Sequence, residues 1–201
     1  WKTSVDRPLF VDGGKALLWL ESDPYKRPAL IRFDLESGKA TRELEVDGAG
    51  GLSVAPSGKF AVMARLNYFR ANYSYQDLFL YRRDRRQLFA LTSGLRVDHP
   101  AISPDGKRVA FETTSGGTRR LAVMDLPRNE RPDESETINP KAFTVPEIWR
   151  ARAARPVSFP LQQKEWSQVY TPSWSPDGKI LTFSYWQQGG FRDIVTLHLH
   201  S

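Results

Sequence analysis

The 201-residue sequence predicts an all-β fold of short antiparallel strands. Three observations carry this expectation. One turn sequence recurs four times along the chain. Each copy is followed by two apolar, strand-like runs. The runs are separated by glycine-bearing turns of hairpin length.

The recurring unit is aligned on a Gly-Lys pair: Gly14-Lys15, Gly58-Lys59, Gly106-Lys107 and Gly178-Lys179. Seven positions before each Lys stands Pro8, Leu52, Pro100 or Pro172, and two positions later Phe10, Val54, Ile102 or Trp174. The copies read PLFVDGGK, LSVAPSGK, PAISPDGK and PSWSPDGK. In Ser103-Pro104-Asp105-Gly106 the proline presets φ for a type I turn, and the glycine accepts the left-handed conformation that follows. The motif therefore joins a short strand A to an apolar strand B through a bulged hairpin turn.

The B strands are expected at ALLWLES, FAVMAR, RVAFET and ILTFSY, and the C strands at ALIRFDL, DLFLYRR, RLAVMDL and DIVTLHL. Fourth strands, D, are expected at KATRELEV and RQLFALTS. Four short strands per unit of roughly 45 residues is the pattern of a β-propeller blade, which must stack on neighbours to bury both faces. A sandwich also has many short strands, but the fixed period argues against it. The expected blades are approximately 1–46, 47–94, 95–143 and 166–201, with an insertion at approximately 128–168. Only about four blades are visible, and the last stops after strand C. Either the chain is part of a larger propeller, the reading preferred here, or Trp1 to Val5 supplies the missing outer strand of a small ring.

At these residues the chain resembles the TolB-like (WD-repeat-like) propeller repeat, whose hallmark is P-x-[W/F]-S-P-D-G-K before an apolar strand. TPSWSPDGKILTFSYWQQGGFRDIVTLHL and HPAISPDGKRVAFETTSGGTRRLAVMDL carry the resemblance. It implies the propeller fold. It also implies either a protein-binding scaffold in a bacterial periplasm or cell envelope, or the gating propeller of a prolyl-oligopeptidase-type serine peptidase whose catalytic domain lies outside this chain.

Composition excludes several classes. The longest apolar runs fall short of the roughly 18–20 residues of a membrane-spanning helix. There are no cysteines, so disulfide and thiolate chemistry are out. A start at Trp1 with no apolar leader is expected of a processed or excised product. The net charge of +6 is scattered as a solvated basic surface, apart from YRRDRR, or suits an acidic partner. No G-x-S-x-G, H-E-x-x-H, phosphate-binding loop or acidic calcium loop occurs, so no catalytic residue is expected. His198 and His200 alternate on one strand face without further His or Cys, and neither a metal nor another cofactor is expected.

Partner-binding residues are sought where the repeat departs from itself. The B–C connection of the second unit, LNYFRANYSYQD, is long and holds Tyr68, Phe69, Arg70, Tyr73 and Tyr75. Tyr and Arg are common interface anchors, though these rings could instead fold onto a neighbouring blade. Asp98, His99 and Tyr170 stand just before A strands, near a propeller's axis; Asp98 could simply cap a turn. Within the insertion, TVPEIWRARAAR reads as a short helix with Thr144 and Glu147 as a capping box and Trp149 on its packed side. It is a docking element or a plug for a propeller edge. The expected partners are proteins, among them another chain or the remainder of the propeller. Nucleic acid is not expected, and membrane proximity would come through a partner or a lipid anchor outside this chain.

Overall fold

The computed structural model describes residues 4–48, 50–69, 73–127, 148–150 and 157–199, with Asp6, Tyr68, Phe69, Tyr73 and 148–150 described by backbone alone. Blade one is a four-stranded antiparallel sheet in sequence order: β1 (Ser4–Val11), β2 (Ala16–Asp23), β3 (Lys26–Asp34) and β4 (Ala40–Glu45). Blade two repeats this with β5 (Gly50–Val54), β6 (Phe60–Phe69), β7 (Tyr73–Arg82) and β8 (Gln87–Ala90). Blade three has β9 (Val97–Ile102), β10 (Arg108–Ser115) and β11 (Thr118–Asp125). Two short strands follow, β12 (Ile148–Arg150) and β13 (Val157–Ser158). Blade four is β14 (Gln168–Trp174), β15 (Ile180–Trp186) and β16 (Asp193–His198). The first strands β1, β5, β9 and β14 are successive neighbours and form the inner side of the array.

The recurring motif forms the A–B turn in every blade, and its side chains explain its letters. Gly58, Gly106 and Gly178 sit at φ 69, 69 and 70°, the left-handed region that glycine enters without a Cβ penalty. The Ser103 hydroxyl donates to Asp105 Oδ1 at 2.6 Å and accepts from Arg108 N at 2.9 Å, and Asp105 Oδ1 also accepts from Lys107 N. Ser175, Asp177 and Lys179 repeat the arrangement in blade four. Serine and aspartate thus satisfy turn amides that the bulge leaves outside the ladder.

Alternation along each strand sends one set of side chains to each neighbouring blade. Leu18, Leu20 and Leu30 meet Met63, Phe79 and Tyr81 between blades one and two. Val62, Leu78 and Leu80 meet Val109, Phe111 and Met124 between blades two and three. Ala110, Leu121 and Val123 meet Val169, Leu181 and Phe183 between blades three and four. Burying one such side chain fully stabilises by about 1.5–3 kcal/mol, so each junction is a cooperative apolar layer.

The structure corrects two local expectations. Residues 148–150, inside the expected helix, form β12, which pairs parallel with β8 at Ile148↔Leu88, Trp149↔Phe89 and Arg150↔Ala90; the rest of that segment lies outside the described residues. The open edge of β8 offers ladder hydrogen bonds to Ile and Trp, and this tertiary pairing prevails over a local capping signal. The expected long loop after β6 is a long hairpin instead. Its ladder runs unbroken from Phe60↔Arg82 to Phe69↔Tyr73, because its alternating aromatic residues suit a strand.

Blade three draws its outer strand from the insertion. Ser158 and Val157 pair with Val123 and Met124 of β11. Further along, a side chain takes over: Gln163 Oε1 accepts from Leu121 N at 2.8 Å and its Nε2 donates to Arg119 O at 3.0 Å. One amide group thereby reproduces the two bonds a strand residue would make.

Candidate partner-binding site

At one point in every blade the A–B ladder slips by a residue: between Asp6 and Leu9, Gly50 and Leu52, Asp98 and Ala101, and Tyr170 and Ser173. The residue at the slip has positive φ each time: Arg7 at 41°, Gly51 at 80°, His99 at 43° and Thr171 at 49°. These are the positions just before Pro8, Leu52, Pro100 and Pro172. A left-handed conformation costs a non-glycine residue about 1–2 kcal/mol, and the surrounding sheet holds three of them there. Such bulges re-aim side chains, here on the inner strands at the face where the B–C and D–A connections emerge.

Around His99 the bulges assemble a charged cluster. His99 Nδ1 lies 3.1 Å from Glu112 Oε1 and 3.6 Å from Asp98 Oδ2. Among the described residues Nδ1 has no other hydrogen-bond partner. Glu112 is 1% exposed; its Oε2 accepts from Arg119 Nη1 at 2.9 Å and its Oε1 from the amide of Thr171, which ties blade three to blade four. Glu112 beside the imidazole holds His99 above its usual range against the opposing effect of burial, with Asp98 adding and Arg7 subtracting. Asp98 Oδ1 also accepts from the His99 amide at 2.9 Å, at the slip in β9.

Aromatic rings flank this cluster. The Arg119 and Arg192 guanidinium carbons lie 4.8 and 4.4 Å from the centre of the Tyr170 ring. Arg96 lies 4.4 Å over Tyr75 and donates to its hydroxyl at 3.0 Å. A cleft of about 510 Å³ runs past Leu66, Tyr75, Gln76, Arg96, Asp98 and Arg119. A second, about 630 Å³, is bounded by Tyr75, Arg96, Thr114, Arg120 and Phe159.

The connection carrying Arg96 is fixed from below. Asp77 on β7 is fully buried and accepts from the hydroxyl of Thr92, the amide of Asn67 and the backbone N–H groups of Gly94 and Leu95, at 2.8–3.1 Å. Thr92 Oγ1 in turn accepts from Leu78 N. One carboxylate therefore anchors the turn between β8 and β9 to the middle of blade two.

Of the residues expected from sequence, Tyr75, Asp98, His99 and Tyr170 come together on this face. Tyr68, Phe69 and Tyr73 lie in the β6–β7 ladder, while their side chains and all of Arg70 lie outside the described residues. Trp149 is on β12, beyond the outer strand of blade two, apart from the inner cluster. Sequence reasoning missed Glu112, Arg96, Arg119 and Arg192. Glu112 had a signal: its counterparts five positions after the other motif lysines are Leu20, Ala64 and Ser184, so it is the lone ionisable residue at that repeat position.

No family model matches the sequence, and no curated protein matches it. The fold, however, is that of a β-propeller, and solved structures share it. TolB from Acinetobacter baumannii superposes with TM-score 0.67 at 18% identity over 97% of this chain and 41% of its own. TolB from Agrobacterium tumefaciens gives 0.61 at 17% identity, over 97% of this chain and 58% of its own. A prolyl endopeptidase gives 0.58 at 15% identity, over 98% of this chain and 28% of its own. The chain thus has a TolB-like propeller fold and spans less than two thirds of each of these proteins.

Proposed function

We propose that the chain is a non-catalytic propeller scaffold for protein–protein interaction in a bacterial cell envelope, on the periplasmic side. Its partner meets the face where the B–C hairpins and D–A connections emerge. The observation that carries this reading is the grouping of Tyr75, Arg96, Asp98, His99, Arg119 and Tyr170 beside two clefts on that face. Tyrosine and arginine held by packed neighbours contribute large contact area at low ordering cost. Likeness to TolB supports the envelope setting. A photo-crosslinking residue at Tyr75 in cells should capture a defined partner, while one at Ser37, on the opposite turn face, should not. Equal capture from both positions would remove the assignment of the face.

The partners also include a further blade, from another chain or from the remainder of a larger propeller. The face of blade one turned away from blade two carries Trp19 and Phe33, 6.1 Å apart, and Phe10, 72% exposed. Trp19 aligns with Met63, Phe111 and Phe183, each buried against a preceding blade.

The second reading, a substrate-gating propeller of a prolyl-oligopeptidase-type serine peptidase, is favoured by the 98% coverage of this chain by a prolyl endopeptidase. Hydrolysis of a prolyl peptide by the intact gene product, lost when a separate nucleophilic serine is changed, would select it.

A further inference from the structure

We propose that the site face recognises a carboxylate-rich peptide segment, an acidic stretch of the partner protein. The inference rests on the partner-binding reading above and adds the chemistry of what is bound.

Three arginines on this face are stacked on tyrosines: Arg96 on Tyr75, and Arg119 and Arg192 on Tyr170. A guanidinium lying over a ring keeps its charge, and its outer edge carries further N–H groups beyond the one that Arg96 gives the Tyr75 hydroxyl and the one that Arg119 gives Glu112. That edge is a planar fork matching a carboxylate, and the stacking has already removed much of the side chain's freedom. Arg96 and Arg192 are exposed, as is Arg120 on the wall of the larger cleft. Arg7, exposed at the bulge of blade one, adds positive charge felt at His99.

The acids that this cluster touches are already engaged. Glu112 is buried with Arg119, the Thr171 amide and His99 around it. Asp98 faces its own His99 through amide and imidazole. Asp193 is exposed next to Arg192 in sequence, and Asp47 is paired with Arg65. On the opposite face Arg83 and Arg32 are held by carboxylates instead of rings: they share Asp12, with Glu43 and Asp34 as further partners. Charge complementarity sets orientation and partner choice.

The test uses three fluorescent peptides of equal length: one rich in Glu and Asp, its Gln/Asn counterpart and its Lys counterpart. Fluorescence anisotropy with the chain should show binding of the acidic peptide alone, weakening as salt rises from about 0.05 to 0.5 M. Arg96→Gln and Arg192→Gln should each weaken it about tenfold, with an unchanged melting midpoint, whereas Arg85→Gln on the turn face should not. Arg96→Lys should fall between, since it keeps charge and loses the fork. Equal binding of acidic and amide peptides, lost in the Arg96/Arg192 double variant, would leave the face as a binding surface and overturn its acidic preference. Acidic-peptide binding untouched by the double variant would overturn the face itself. No binding by any of the three peptides, or preference for the Lys peptide, would overturn the proposal.

Discussion

The guanidinium of Arg83 meets the carboxylate of Glu43 side-on, with Nε 2.9 Å from Oε2 and Nη2 2.8 Å from Oε1. The pair joins blade two to blade one, and Nη1 extends the tie to Asp12 and to the Gly58 carbonyl. Arg83 is 9% and Glu43 16% exposed, so the contact escapes most solvent screening. Arg83→Ala should lower the unfolding free energy in urea by about 2–3 kcal/mol. A double-mutant cycle with Glu43→Gln should give a coupling above about 1 kcal/mol, and additive single effects would show that the pair is a surface contact only.

Asp77 organises more donors than any other carboxylate of blade two. Asp77→Ala should strand the Gly94 and Leu95 amides and the Thr92 hydroxyl, and cost about 3–5 kcal/mol. Asp77→Asn keeps one acceptor oxygen and should cost less. Amide exchange at Gly94 and Leu95 should rise in both variants, and unchanged exchange would mean that the turn holds its shape without Asp77.

Gln163 offers a sharper local test. Gln163→Ala removes the acceptor for Leu121 N and the donor to Arg119 O, and should destabilise by about 1–3 kcal/mol. Gln163→Glu keeps the acceptor and loses the donor. Exchange at the Leu121 amide should therefore quicken in the alanine variant and stay slow in the glutamate variant. Fast exchange in both would show that β11 is protected by other means.

Stability should peak at mildly acidic pH. His99 titrates above its ordinary value in the folded chain, so its contribution is complete below about pH 6.5 and is lost as pH rises through the raised value. Asp105 lies below the usual carboxylate value through its Ser103 hydrogen bond, opposed by burial and helped by Lys107. Asp12 is also lowered, since its hydrogen bonds to Arg32 and Arg83 together outweigh burial, the largest single influence. Their contributions are present above about pH 3.8 and fade as pH falls through the lowered values. Urea midpoints against pH should decline on both sides, and His99→Gln should flatten the alkaline decline alone. An identical alkaline slope in that variant would assign the loss elsewhere.

The blades were legible in sequence because their chemistry is local. Ser103, Asp105 and Gly106 build the turn from groups within five residues, so the letters recur with the shape. Tyr75, Asp98, His99 and Tyr170 could be picked out because they depart from the repeat or stand at its edge. Glu112 and Arg119 could not be joined to His99 and Thr171 by the same reasoning. Those contacts depend on two blades stacking and on a ladder slip that no single segment encodes. β12 shows the converse, since Thr144 and Glu147 form a sound local helix signal that says nothing of the edge of β8.

The recurrent slip in the inner strands makes the axial surface modular. Arg7, Gly51, His99 and Thr171 occupy equivalent sockets, displaced from the ladder, so a change of side chain there need not shift the register of the sheet behind it. Gly51 is the closed socket: a Cβ at this position would lie 3.1 Å from His99 Cα and 3.1 Å from Pro100 Cδ. The other three can drift. A propeller of this design can change the chemistry of the surface around its axis by exchanging three letters while its blades remain the same.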